Sequence, residues 1–214
     1  MHLANRTDQR GTPGERRRPT VVHLPVFASD AAVVAALRAG EPAGGAALYD
    51  RHHRYVRRVL LRVLGPDADL HDLMQDVFVA AIDSIDRLLE PKALRGWLAA
   101  ISVNCVRVEL RRRTKSRLRF LPQHDLPDVP APANAPEVDE AVRATYRVLE
   151  RLAPDERIPF ALRFIDGMEL TEIAAACQVS LATVKRRLAS AQKKFTSIAR
   201  TDPELVSWVK GVAP

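Results

Sequence analysis

The chain contains 214 residues, of which 47% are hydrophobic, and its 33 lysine and arginine residues outnumber its 26 acidic residues, giving a formal net charge of +7. This length suffices for a buried core in one or two domains, and the excess of basic residues favours a polyanionic partner. No apolar segment approaches the roughly 20 residues that span a bilayer, and the N-terminal sequence lacks the apolar region of a secretory signal. We therefore expect a cytoplasmic protein, with no amphipathic anchor for a membrane.

Five segments follow one another along the chain. Residues 1–27 are rich in arginine without hydrophobic periodicity, which predicts a disordered basic tail. Residues 28–120 and 137–200 show helical periodicity, whereas residues 121–136 contain five prolines and predict a flexible linker. Residues 201–214 form a short tail. The sequence thus predicts an all-α protein with two small helical domains, which the linker leaves at variable separation.

An acidic stripe runs along the predicted helix that begins near Asp69. Its apolar side is predicted to comprise Leu70, Met74, Val77, Ala81, Ile85 and Leu88. Asp69, Asp72, Asp76 and Asp83 fall within roughly 60° of one another on a different side. Asp69 and Asp72 could simply stabilise the positive end of the helix dipole, but Asp76 and Asp83 lie too far along the helix for that. Because carboxylates repel DNA phosphates, the stripe predicts docking onto a basic protein surface.

The next predicted helix, from about Leu94 to Arg113, is strongly basic at its end. Its core-facing stripe is predicted to comprise Leu94, Leu98, Ile101, Cys105 and Val108. Arg107, Arg111, Arg112, Arg113 and Lys115 supply charge that can neutralise phosphates. Trp97 is interpreted as a core anchor, with a base-stacking platform as the alternative, and Asn104 as a base contact or a solvated amide.

The second helical domain contains the pattern of a helix-turn-helix, "LTEIAAACQVSLATVKRRLASAQKKF". Ser180 is a suitable N-cap for the second helix, whose apolar face is predicted to comprise Leu181, Val184, Leu188, Ala191 and Phe195. The predicted DNA contacts are Ser180, Thr183, Lys185, Arg186, Arg187, Ser190, Lys193 and Lys194. A solvated basic face is the alternative. Gln178 stands where such turns usually have glycine, and a left-handed backbone conformation at this residue would cost about 1 kcal/mol. Pro159 lies in an earlier predicted helix, which must either begin late or bend at the proline.

Two longer stretches resemble the extracytoplasmic-function type of bacterial RNA polymerase sigma factor, in the sigma-70 superfamily. "LYDRHHRYVRRVLLRVLGPDADLHDLMQDVFVAAIDSIDRL" with "LRGWLAAISVNCVRVELRRR" is similar to the second region of that family, and "LERLAPDERIPFALRFIDGMELTEIAAACQVSLATVKRRLASAQKKF" to its fourth. The proline-rich segment stands where the family has its linker. The order of these segments is more specific than the helix-turn-helix alone.

The resemblance implies a set of roles for these residues. Asp69, Asp72, Gln75 and Asp76 would bind the clamp helices of the polymerase β′ subunit. Trp97, Asn104, Arg107, Arg111, Arg112 and Arg113 would open and read the −10 promoter element. The helix that starts at Ser180 would read the −35 element, and the earlier part of the fourth region would approach the β flap. An anti-sigma factor is a further partner that the resemblance allows.

Three other classes of protein compete with this interpretation. A free-standing helix-turn-helix regulator would bind duplex DNA as a dimer, but leaves the acidic stripe unexplained. An enzyme acting on nucleic acid would use Asp69, Asp72 and Asp76 to hold Mg²⁺, but no nucleophile or general base accompanies them. A membrane-binding protein lacks its anchor. Cys105 and Cys177 have no metal-ligand spacing and are interpreted as buried thiols, so we predict no catalytic residue, metal or cofactor.

Overall fold

The computed structural model describes residues 27–66, 68, 70–119 and 136–206. The predicted N-terminal tail up to residue 26, most of the linker, the last eight residues and Asp69 lie outside this described part. Every regular element in the described part is a helix, which confirms the all-α class. The α-helices are α1 Asp30–Arg38, α2 Pro42–Leu64, α3 His71–Asp83, α4 Leu94–Arg119, α5 Pro136–Leu149, α6 Pro154–Phe160, α7 Leu170–Cys177 and α8 Leu181–Ala199.

The first module, α1 to α4, is built around α2. Its buried row of Leu48, His52, Val56, Val59 and Val63 recurs every three or four residues, so one face of the helix is buried along its length. The helices α1, α3 and α4 all pack against α2. The inner face of α3 contributes Val77, Phe78 and Ala81 to the same core.

The helix α3 is shorter than the sequence predicts. It ends at Asp83, and Ser84 turns its hydroxyl back to donate to the carbonyl of Ala80 at 2.5 Å. A separate 3₁₀ turn, Ile85–Arg87, follows. Ile85 and Leu88 are nevertheless buried, because the turn continues along the same core after the helix has ended.

The predicted apolar stripe of α4 is only partly right. Leu94 and Leu98 are buried, but Ile101 and Cys105 are half-buried and Val108 is 60% exposed. The buried positions instead include Ala99, Val103, Val106 and Leu110. The buried face differs from the predicted stripe because α4 packs against α2 and α3 and also against α6 and α7.

The second module, α5 to α8, contains the predicted helix-turn-helix in α7 and α8. Gln178 ends α7 in the left-handed conformation, with φ of 56°, as its place in the turn predicts. Pro159 lies inside α6, which starts at Pro154, slightly earlier than expected. The chain then widens into a π-helical turn, Ala161–Ile165, consistent with the disturbance that a proline without an N–H causes in a helix.

The two modules pack directly against each other, so the expectation of variable separation is wrong for this structure. A single buried cluster includes Leu60 and Val106 from the first module and Ile158 and Ile173 from the second. The side chain of Arg58 pairs with Asp166, with 2.9 Å between Nε and Oδ1. The linker composition gave no sign of this contact, because the apolar residues that form it belong to the helices themselves.

Arg157 links the second module to the end of α2. This residue is 4% exposed, and its guanidinium donates from Nε to the carbonyl of Val63 at 2.9 Å and from Nη2 to the carbonyl of Leu64 at 3.1 Å. The last carbonyls of a helix have no partner within the helix, so Arg157 supplies donors that the first module lacks. Nearby, the hydroxyl of Tyr146 donates to the carbonyl of Arg62 at 3.1 Å.

We expect Arg157→Met to lower the free energy of unfolding by about 2–4 kcal/mol, because it leaves two buried carbonyls without donors. Urea denaturation followed by circular dichroism measures this loss. The control is Arg151→Met, which removes the same charge from an exposed position and should change stability by less than about 0.5 kcal/mol. Equal stability of the two variants would contradict a structural role for the Arg157 hydrogen bonds.

Candidate protein and nucleic-acid interfaces

An exposed acidic surface, formed by Asp72, Gln75 and Asp76, lies on the outer side of α3. Asp72 and Asp76 are one helical turn apart, so their carboxylates share a face. Among the described residues, no basic side chain lies within ion-pair distance of either carboxylate. Val79, which follows along α3, is 50% exposed. The surface therefore combines uncompensated negative charge with an accessible apolar side chain.

Trp97 and Asn104 face different environments on α4. Trp97 is half-buried and packs against the core, which fits its interpretation as an anchor. Asn104 is exposed, so its amide is available for a polar contact. Both side chains lie on α4, seven residues apart.

The basic end of α4 is organised by Glu109, whose role the sequence did not reveal. Glu109 is 8% exposed and accepts hydrogen bonds from Arg112 Nε at 2.6 Å and Arg113 Nε at 2.7 Å. The hydrogen bond from Arg112, helped by Arg113, lowers the pKa of Glu109 although burial opposes the shift. The carboxylate thus stays ionised and holds two guanidinium groups side by side, while Arg111 is exposed.

Arg107 points away from this group and toward the second module. Its Nη2 donates to the carbonyl of Cys177 at 3.4 Å, and its Nε lies 3.4 Å from the Asp155 carboxylate. Only 16% of its side chain is exposed. Arg107 therefore contributes to the contact between the modules in this structure.

The polar residues of α8 separate into an outward and an inward group. Ser180 caps the helix by accepting from the backbone N–H of Thr183 at 3.2 Å, as predicted. Lys185, Arg186 and Lys193 are exposed. The inward group consists of Arg187, Ser190 and Lys194, which contact acidic residues of α6, although 53% of the Lys194 side chain remains exposed.

Two acidic residues at the start of α6 hold this inward group. Asp155 Oδ2 lies 3.6 Å from Arg187 Nη2, and Glu156 accepts from Ser190 at 2.7 Å and from Lys194 at 2.8 Å. Burial favours the protonated form of Glu156, but the hydrogen bonds from Lys194 and Ser190 outweigh it and lower the pKa. Glu156 is therefore a carboxylate that fixes α6 against α8.

The sequence pattern did not predict the roles of Asp155, Glu156 and Arg157. The signal that could have pointed to them is "PDER", in which proline and two acids mark the first turn of a helix. The same pattern occurs at ordinary solvated helix starts. Only the three-dimensional packing shows that these charges face α2, α4 and α8.

The described residues contain neither a candidate metal site nor a candidate membrane-spanning helix. No group of three or more His, Cys, Asp or Glu side chains there is placed to hold a metal ion. None of the described helices is both long enough and apolar enough to cross a membrane.

Comparison with known proteins identifies both modules. Residues 48–116 match the family described as Sigma-70 region 2, and residues 143–195 match Sigma-70, region 4. The chain is 32% identical over 145 residues to the ECF RNA polymerase sigma factor SigE of Mycolicibacterium smegmatis, a match that covers 66% of this chain and 56% of that protein. It is 26% identical over 175 residues to the ECF RNA polymerase sigma-E factor of Escherichia coli, covering 77% of this chain and 91% of that protein.

A solved structure has a similar fold across both modules. It is described as the structure of CnrH in complex with the cytosolic domain of CnrY. The superposition has a TM-score of 0.56 at 25% sequence identity and covers 81% of this chain and 98% of that one. Region 2 precedes region 4 in this chain, and both of these relatives are ECF RNA polymerase sigma factors. This chain therefore belongs to the extracytoplasmic-function group of sigma-70 RNA polymerase sigma factors, which direct the polymerase to promoters.

Proposed function

We propose that the acidic surface of α3 binds the clamp helices of the β′ subunit in core RNA polymerase. The observation that carries this proposal is the exposure of Asp72, Gln75 and Asp76 within the part of the chain that matches region 2. Like charges on one helix face are mildly destabilising in the free protein, so a basic partner would relieve their repulsion. Asp69 belongs to the same proposal on the basis of its sequence position alone.

The basic and polar face of α4 is proposed to hold the −10 element. Arg111, Arg112 and Arg113 would contact phosphates, and the exposed Asn104 would contact a base. Trp97 would act mainly through its packing, by fixing the position of α4. Capture of unstacked bases here would offset part of the few kcal/mol needed to expose them.

The outward face of α8 is proposed to read the −35 element in the major groove. Arg186 has the fork geometry that pairs with guanine, and the lysines Lys185 and Lys193 suit phosphates. Ser180 and Thr183 lie at the helix N-terminus, where recognition helices meet base edges. The inward Arg187, Ser190 and Lys194, which the sequence grouped with these residues, would instead maintain the module through Asp155 and Glu156.

The remaining partners follow from family membership. Catalysis would belong to the polymerase, since sigma factors are not an enzyme family. The second module would also approach the β flap. The similar solved structure is a complex with the cytosolic domain of another protein, and we propose that this chain is likewise controlled by an anti-sigma factor. A free-standing regulator is not favoured, because it would have no use for a region 2 module.

The double variant Asp72→Arg/Asp76→Arg should lose binding to core RNA polymerase by at least about tenfold, since it reverses the charge of the proposed docking surface. A pull-down with bacterial core enzyme and a titration by fluorescence anisotropy measure the loss. Asp86→Arg/Glu204→Arg makes the same change in net charge at two other exposed positions and should bind as the unchanged protein does. If the unchanged chain binds no core polymerase, the proposed function is wrong.

Arg186→Ala and Arg187→Ala should change different properties of the protein, transcription in the first case and thermal stability in the second. Arg186→Ala should reduce promoter-specific transcription by the reconstituted holoenzyme by about 5- to 150-fold, the range expected for one base-reading contact, with little change in thermal stability. Arg187→Ala should lower thermal stability, because Arg187 pairs with Asp155 inside the protein. Equal transcription defects at equal stability would contradict the division of α8 into outward and inward groups.

A further inference from the structure

The outer side of α3 carries exposed apolar side chains as well as carboxylates. Val79 is 50% exposed and Ile82 is 41% exposed. Tyr49 of α2 is 45% exposed, and its ring packs against that of Phe78 with the centroids 4.9 Å apart. Ile82 lies beside Gly45, one helical turn before Tyr49, because a Cβ at Gly45 would meet Ile82 Cδ1 at 3.4 Å. Neighbouring exposed apolar side chains with a charged rim are typical of an interaction surface.

Exposed carboxylates form the rim of this apolar group. Asp76 lies one helical turn before Val79 and Asp83 one turn after it, and Asp72 precedes Asp76 by a further turn. Among the described residues, no basic side chain lies within ion-pair distance of these three carboxylates. A partner that satisfies the whole surface must therefore supply positive charge together with apolar side chains.

The segment that precedes the described residues supplies both. Residues 16–18 are three consecutive arginines, and residues 21–26 include the apolar side chains of Val21, Val22, Leu24 and Val26. Residues 1–26 together contain five arginines against two acidic residues. The charge of the segment is thus opposite to that of the outer side of α3.

The described chain begins at a position from which this segment can reach α3. Arg51 of α2 donates from Nη1 to the carbonyl of Phe27 at 3.2 Å and from Nη2 to that of Ala28 at 3.4 Å. Tyr49 is only two residues from Arg51 along α2. Arg18 lies nine residues before Phe27, and an extended chain of that length spans up to about 30 Å. A helix with its side chains is about 10–12 Å across, so the arginines can pass around α2 and reach α3.

We propose that residues 16–26 of the free chain dock on the outer side of α3, with residues 16–18 paired with Asp72 and Asp76 and the apolar residues placed against Val79, Ile82 and Tyr49. The proposal rests on the polymerase-binding function proposed above for the same surface. Core polymerase must then displace the segment, which lowers its affinity for the free chain. Each exposed ion pair is weak, but attachment to the same chain raises the local concentration of the segment.

Disulfide formation in the full-length chain tests the contact. Val22→Cys/Val79→Cys should form an intramolecular disulfide under mild oxidation at least about fivefold faster than Val22→Cys/Val108→Cys, in which the second substituted valine is 60% exposed on α4. The native Cys105 and Cys177 are common to both variants, and gel mobility without reductant measures both rates. Equal rates would overturn the proposal. A disulfide-linked dimer as the main product would also overturn it, because the segment would then dock on a second copy.

The competition is tested with Arg16→Glu/Arg17→Glu/Arg18→Glu in the full-length chain. This variant should bind core RNA polymerase at least about threefold more tightly than the unchanged chain, because its segment is repelled by the carboxylates of α3. A titration by fluorescence anisotropy measures the difference. The same three substitutions should also slow disulfide formation in Val22→Cys/Val79→Cys.

The matched control is Arg54→Glu/Arg57→Glu/Arg151→Glu, which makes the same change in net charge at three exposed positions and should bind core polymerase no more tightly than the unchanged chain does. A tail variant that binds no more tightly than this control would overturn the proposal. If neither the unchanged chain nor any variant binds core polymerase, the proposed function and the competition both fail, whereas the disulfide rates still report whether the segment lies on α3.

Discussion

The last carbonyl groups of α2 have no hydrogen-bond donor within the helix, and the arrangement of the modules depends on how they are satisfied. Burying a helix end is unfavourable unless donors reach its last carbonyls, and Arg157 of α6 supplies two. A guanidinium can be buried only where it too is satisfied, so each partner requires the other. This mutual requirement fixes α6 on α2, and with it places α7 against α4.

Charged side chains divide into exposed groups and groups that are paired inside the protein. On α3 the acidic residues are exposed, and on α8 Lys185, Arg186 and Lys193 are exposed. The charges between these surfaces are neutralised internally: Glu109 holds the arginines of α4, and Glu156 holds Lys194 of α8. The positions of the unpaired charges therefore indicate binding surfaces better than the net charge of the chain does.

The sequence predicted what depends on local periodicity and on turn chemistry. The all-α class, the cap at Ser180 and the left-handed Gln178 follow from neighbouring residues, and the structure confirms them. It could not predict the exposure of Val108, because the buried face of α4 depends on helices distant in sequence. For the same reason, a helical wheel placed Arg187 and Lys194 with Arg186, although α6 supplies acidic partners only for the first two.

The packed structure exposes the acidic surface but largely covers two of the arginines that the sequence predicted to contact DNA. Arg107 and Arg187 are largely covered while the modules are together, whereas Asp72 and Asp76 are exposed. A partner that recognises the carboxylates would therefore meet a formed site. Because any ligand that binds the separated modules more tightly shifts the equilibrium toward them, a polymerase with two distant docking positions would favour opening by its geometry alone.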